Sequence, residues 1–110
     1  MNAARLLVCY GGTFDPVHEG HLAVARSARD ALDADVALVP ARDPPHKGPT
    51  RADAAQRARM LELAVAGEAG LSVDLRELHR EGPSYTFASL GELRAELGDA
   101  APIAWLVGAD

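Results

Sequence analysis

The stretch Leu6-Leu7-Val8-Cys9-Tyr10-Gly11-Gly12-Thr13-Phe14-Asp15-Pro16-Val17-His18-Glu19-Gly20-His21 decides the fold. Its first five residues are continuously apolar, which reads as a strand. Two glycines and a proline then break the pattern. After His21, the residues Leu22, Ala25, Ala28 and Leu32 recur at helical spacing, with Val24 beside them. A strand that enters a helix through a glycine-rich turn is the first half of a β-α-β unit.

The rest of the chain repeats this alternation. Val36-Ala37-Leu38-Val39 reads as a second strand, ended by Pro40. A proline-rich loop follows, and Thr50 with Asp53 forms a capping box for a helix striped by Ala54, Ala58, Leu61 and Val65. Gly67 and Gly70 punctuate its end. Leu71, Val73 and Leu75 alternate with polar residues as a third strand. Ser84 caps a helix carrying Phe87, Leu90, Leu93 and Leu97, with Gly98 after it, and Ile103 to Val107 is a fourth strand. The order β-α-β-α-β-α-β predicts an α/β fold, a parallel sheet with helices on both faces. Strands one, two and four are apolar runs suited to cover on both sides, whereas strand three alternates and belongs at an edge. Right-handed crossovers then give the strand order 3-2-1-4. Ligands of such sheets bind beyond the carboxyl ends of the strands, where the order reverses. That places the loops Gly11–His21 and Gly108–Asp110 face to face.

Composition narrows the function classes. With 110 residues, the chain is one domain or part of one. Hydrophobic residues at 48% and charged residues at 25% exclude disordered and fibrous classes. A net charge of −5 argues against a broad nucleic-acid or anionic-membrane surface, but not against a small anionic ligand held by local groups. The longest apolar run is far below the ~20 residues that span a bilayer, and the N-terminus does not read as a secretion signal. A single cysteine cannot form an internal disulfide, so a reducing cytoplasm is expected, and Cys9 reads as a core residue.

The turn after strand one is neither a GxxxxGK[ST] phosphate loop nor a GxGxxG fingerprint. It also fails the HExxH zinc signature, because His18 and His21 are three apart; with no third ligand evident, metal ligation ranks well behind phosphate binding. His18 and His21 fall on one face of the first turn of helix one, where unpaired N–H groups and a partial positive charge favour anions. Gly11, Gly12 and Gly20 let phosphates approach the backbone, and two imidazoles can donate to phosphate oxygens. For an isolated HxGH, a tight turn with histidines that merely cap it competes with this reading. Lys47, the only lysine, lies beside His46 in the proline-rich loop and is either an exposed charge or a phosphate contact. Tyr85 and Thr86 open helix three, where free N–H groups suit a carboxylate, compatibly with capping by Ser84 or Thr86. Asp110, at the carboxyl end of strand four, can accept ribose hydroxyls. Trp105 reads as core and His79 as surface.

The whole string resembles the HxGH nucleotidylyltransferase superfamily and, as GGTFDPVHxGH, most closely the bacterial nicotinate-nucleotide adenylyltransferases. Pro44-Pro45-His46-Lys47, Arg57 with Met60-Leu61, Ser84-Tyr85-Thr86 and Gly108-Ala109-Asp110 resemble that family's segments in order and spacing. The resemblance implies a Rossmann-like domain over residues 1–110. The family continues past Gly108-Ala109-Asp110, so a partial domain is expected, and activity of the 110 residues alone is left open. The implied reaction joins ATP to nicotinate mononucleotide, giving nicotinate adenine dinucleotide and pyrophosphate, a step of NAD synthesis. The resemblance implies catalytic roles for His18, His21 and Lys47. It implies substrate contacts at Gly11, Gly12, Thr13, Phe14, Gly20, His46, Ser84, Tyr85, Thr86, Gly108 and Asp110, with the nicotinate carboxylate received near Thr86. No protein metal site is expected, and Mg²⁺ would arrive with ATP. Neither a nucleic-acid nor a membrane partner is expected. Three rivals stand beside this reading: sister nucleotidylyltransferases for nicotinamide mononucleotide, phosphopantetheine or cytidylyl groups, which share HxGH; class I aminoacyl-tRNA synthetases, which use a similar turn but whose KMSKS-like loop is missing from this short, acidic chain; and an inactive nucleotide-binding fragment.

Overall fold

A computed structural model describes residues 5–42, 53–80 and 86–107. The elements are β1 (Leu7–Gly12), α1 (Glu19–Leu32), β2 (Asp35–Pro40), α2 (Ala54–Val65), β3 (Leu71–Val73), α3 (Arg76–His79), α4 (Thr86–Leu97) and β4 (Ile103–Val107). All strand pairings are parallel, and the sheet runs β3-β2-β1-β4, the order expected from the sequence.

Alternation along the strands divides the core. Val8 and Tyr10 of β1 with Val36 and Leu38 of β2 face α1 and α2, where Leu22, Ala25, Leu61 and Val65 meet them. Cys9 and Val39 face the other way, onto Leu93 of α4, with Leu7, Ile103 and Trp105 packed around them. Helices therefore cover both faces, and β1 sits at the centre between β2 and β4.

Several local expectations are corrected. The capping box of α2 is not Thr50 with Asp53. Asp53 is itself the N-cap, and it accepts from Gln56 N–H at 2.8 Å while its own N–H donates to the Gln56 side chain at 3.0 Å. Thr50 lies outside the described residues. Leu75 does not extend β3; it stands at the N-cap position of the short helix α3, where its carbonyl accepts from Leu78 and His79 N–H. The Asp74 carboxylate turns the chain there by accepting from both the backbone N–H and the Nε of Arg76, a local alternative to the ladder. In α4 the inward residues are Ser89 and Leu93, and Phe87, expected on the apolar stripe, is 89% exposed. The stripe is rotated because Ser89 is drawn inward by the buried carboxylate of Glu77, at 2.7 Å. β3 is at an edge as its alternation suggested. β4 is at the opposite edge, with Ile103 to Leu106 only half-buried and Val107 exposed, not covered on both faces like β2.

Candidate functional site

Because the strands are parallel, β1, β2 and β4 release their loops on the same side of the sheet. In the register, Gly11 lies beside Val39 and Val107, and Gly12 beside Pro40. A 2.8 Å hydrogen bond from Ala41 N–H to the Gly12 carbonyl joins the loop after β2 to the end of β1. The order reverses at β1, so the crevice lies at its carboxyl end, where α1 begins.

The expected strand-one glycines are part of β1, and each has a close neighbour. A Cβ on Gly11 would lie 2.8 Å from Trp105 Nε1, so the indole occupies the space that a side chain would need. A Cβ on Gly12 would meet the Phe14 ring at 3.3 Å. Trp105, read as core, is thus a half-buried ring laid across the end of β1. Thr13 is half-buried in the turn. Phe14 is in the left-handed region at φ 51°, and its ring is 2% exposed, edge-on to Tyr10 at 5.4 Å and to His21 at 4.9 Å between ring centres. The Phe14 side chain therefore supports His21 from within the core.

His18 is the N-cap of α1 and His21 its third residue. Gly20 N–H donates to His18 Nδ1 at 3.1 Å, and His18 N–H donates to His21 Nδ1 at 3.1 Å. The two imidazoles form a reciprocal capping box, in the places where Ser or Thr and Glu or Gln ordinarily stand. An Nδ1 that accepts carries no proton, so each ring bears its hydrogen on Nε2. The rings stack at 3.8 Å between centres and 29° between planes. Capping, one of the two roles weighed in the sequence reading, is made through Nδ1 and does not itself engage Nε2. Gly20 is needed for a related reason, since its Cβ would lie 2.9 Å from His18 Cε1.

Thr86 is exposed at the first position of α4. Behind it, Glu77 accepts from Ser89, Arg80 donates to Ser89 at 3.2 Å and to Glu92 at 2.7 Å, and Arg42 donates to the Arg80 carbonyl. His79 is exposed, as expected. His46, Lys47, Ser84, Tyr85, Gly108 and Asp110 lie outside the described residues. Cys9 is buried, and burial, with Asp74 nearby, pushes its thiol up to about 11, which makes it a poor nucleophile. Among the described residues there is no cluster of three or more His, Cys, Asp or Glu side chains that could hold a metal ion, and no helix long and apolar enough to cross a membrane.

Arg57 had no role of its own in the sequence reading. It is fully buried on α2, and its Nη1 donates to the Thr13 and Ala41 carbonyls, both at 2.8 Å. The signal was present: Arg57, Leu61 and Val65 are spaced by four, so an arginine stands on the helix's apolar stripe.

Residues 9–110 match the cytidylyltransferase-like family. A protein of Stenotrophomonas maltophilia (strain K279a) named "Probable nicotinate-nucleotide adenylyltransferase" is 56% identical over 110 residues, covering 96% of this chain and 50% of the relative. One of the same name from Xylella fastidiosa (strain M12) is 54% identical over 109 residues, covering 96% and 49%. The chain thus spans about half the length of the curated relatives it matches. The nicotinic acid mononucleotide adenylyltransferase of Plasmodium falciparum, complexed with NaAD, has the same fold at a TM-score of 0.69 and 17% identity, over 92% of this chain and 50% of that one. On the family match, with the crevice and its paired histidines at the end of β1, the chain belongs to the cytidylyltransferase-like family.

Proposed function

We propose that the protein transfers the adenylyl group of ATP to nicotinate mononucleotide, forming nicotinate adenine dinucleotide and pyrophosphate. The mononucleotide phosphate oxygen attacks the α-phosphorus of ATP in line. A new P–O bond forms, the bond from that phosphorus to the bridging oxygen breaks, and the electron pair leaves on pyrophosphate. A phosphate is already anionic at neutral pH, so no general base is needed. Catalysis reduces to positioning and to stabilising charge on the leaving group. The observation that carries this reading is the reciprocal cap of His18 and His21, which fixes two Nε2–H donors at a helix N-terminus. Lys47 and His46 would add positive charge from the loop after β2, and the start of α4 near Thr86 would receive the nicotinate carboxylate. Mg²⁺ would be carried by the ATP phosphates and water, which it prefers to an all-protein cage, and would offset phosphate charge. The identity to relatives named for this activity supports the choice of acceptor over sister acceptors.

The test is pyrophosphate release from ATP, Mg²⁺ and nicotinate mononucleotide, with nicotinamide mononucleotide and phosphopantetheine as competing acceptors. It is run on this chain and on a polypeptide of its relatives' length. Release with nicotinate mononucleotide preferred is the expected result. Release only with another acceptor, or ATP binding without release in either form, overturns the proposal.

A further inference from the structure

Among the described residues, Arg57 is the one fully buried cation, and it touches the turn after β1 and the start of the loop after β2. Its guanidinium lies at 0% exposure and holds the Thr13 carbonyl, 44 residues away in sequence, and the Ala41 carbonyl, 16 residues away. Thr13 precedes Phe14 in the turn that leads to the histidine pair. Ala41 roots the loop after β2, and its own N–H is bonded to Gly12. A carbonyl oxygen is a partial negative charge, and two of them aimed into the crevice would repel phosphate. In a trans peptide the C=O and the following N–H point in opposite directions. Holding the Thr13 oxygen against buried Arg57 therefore turns the Phe14 N–H away from Arg57. The positive φ of Phe14 and the seating of its ring beneath His21 continue from that same peptide plane.

We propose that Arg57 is a positioning residue of the ligand site: it withdraws two carbonyl oxygens from the crevice, presents the Phe14 N–H to a phosphate chain, and locks the loops after β1 and β2 together. Both carbonyls are served from one Nη1, whose two hydrogens are fixed in the guanidinium plane, whereas the hydrogens of a lysine ammonium rotate on a flexible stem. This inference rests on the adenylyl-transfer reading for its ligand, though not for the loop coupling.

The experiment uses the chain itself with two probes, Mg²⁺-ATP and inorganic tripolyphosphate. Binding is measured by calorimetry for the unsubstituted chain, Arg57→Lys and Arg57→Met. Nitrogen-15 spectra of each unliganded protein follow the Phe14 amide and the His18 and His21 ring nitrogens. Arg57→Lys is expected to weaken both probes about tenfold, the scale of one misdirected hydrogen bond to a charged group. It should also shift the Phe14 amide and the His ring signals, with the Val8 and Val36 amides unmoved. A folded Arg57→Lys with unchanged affinity and an unmoved Phe14 amide overturns the proposal. If Arg57→Met fails to fold, Arg57→Lys decides alone. If neither this chain nor a polypeptide of its relatives' length binds either probe, the adenylyl-transfer reading falls. The unliganded spectra then decide: moved Phe14 and histidine signals sustain the coupling of the loops, and unmoved ones overturn it.

Discussion

At Gly20 a neighbour's side chain forces the choice of residue. The His18 imidazole folds back over the backbone to reach the Gly20 N–H, and a methyl group would meet it at 2.9 Å. Gly20→Ala should therefore expel the ring from its cap. The expected result is a change in the His18 ring-nitrogen shifts and a loss of about 1 kcal/mol in chemical denaturation, the usual value of an N-cap. His21 contributes one cap bond and, in the proposed reaction, would also donate to the reacting phosphates. In whichever form of the protein turns over, His21→Ala is expected to lower kcat about 100-fold, the scale of a lost charge-stabilising donor. The same variant should lose only about 1 kcal/mol of stability, so that circular dichroism and kinetics separate the two roles. The sequence made the histidine pair legible, because its spacing is local. It did not reveal why the glycines are there. Gly11 yields to Trp105 and Gly20 to His18, and which ring lies over a glycine is decided through space.

Elements show the same division between local and distant causes. The start of α2 is set by Asp53 and Gln56, three residues apart, and Asp53→Ala should cost about 1 kcal/mol, read as a lowered denaturation midpoint. Thr50 and Asp53 share that spacing in the sequence, so pattern alone could not choose between the two boxes. The orientation of α4 depends on a contact outside itself. Ser89 is buried at 0% exposure and donates to Glu77, which is 5% exposed. Ser89→Ala leaves that carboxylate short of a donor and should destabilise the fold by about 1–3 kcal/mol, measured by thermal or urea unfolding. Four-residue α3, which supplies Glu77, is too short to leave a helical period, and so both it and the exposure of Phe87 escaped the sequence reading.

For the whole molecule, the order of the sheet was legible because alternating strands and helices with right-handed crossovers leave few arrangements. The partial cover of β4 was not, since apolar content states what a strand tolerates and not what packs against it. Ionisation sets limits on stability at both ends of the pH scale. Glu68 is held below its ordinary value of 4.5 by hydrogen bonds from Arg26. For Asp74, burial pushes upward, but the Arg76 hydrogen bonds outweigh it and leave the carboxyl below 3.8. Depressed carboxyls add stability above their ordinary values and lose it as pH falls through the folded ones. The Cys9 thiol, pushed up from 9.0 to about 11, adds stability below 9.0 and loses it as pH rises through about 11. Thermal midpoints should thus fall in acid as the depressed carboxyls protonate and fall again as pH rises from about 9 to 11, and Cys9→Val should soften the alkaline decline. The indole across Gly11 has an optical consequence. The chain holds one tryptophan, and that ring lies against Gly11 near the carboxyl end of β1. Its fluorescence therefore comes from a single known position, and if the proposed nucleotide settles beside that ring the emission of an unlabelled protein should change, so that occupancy could be followed by light alone.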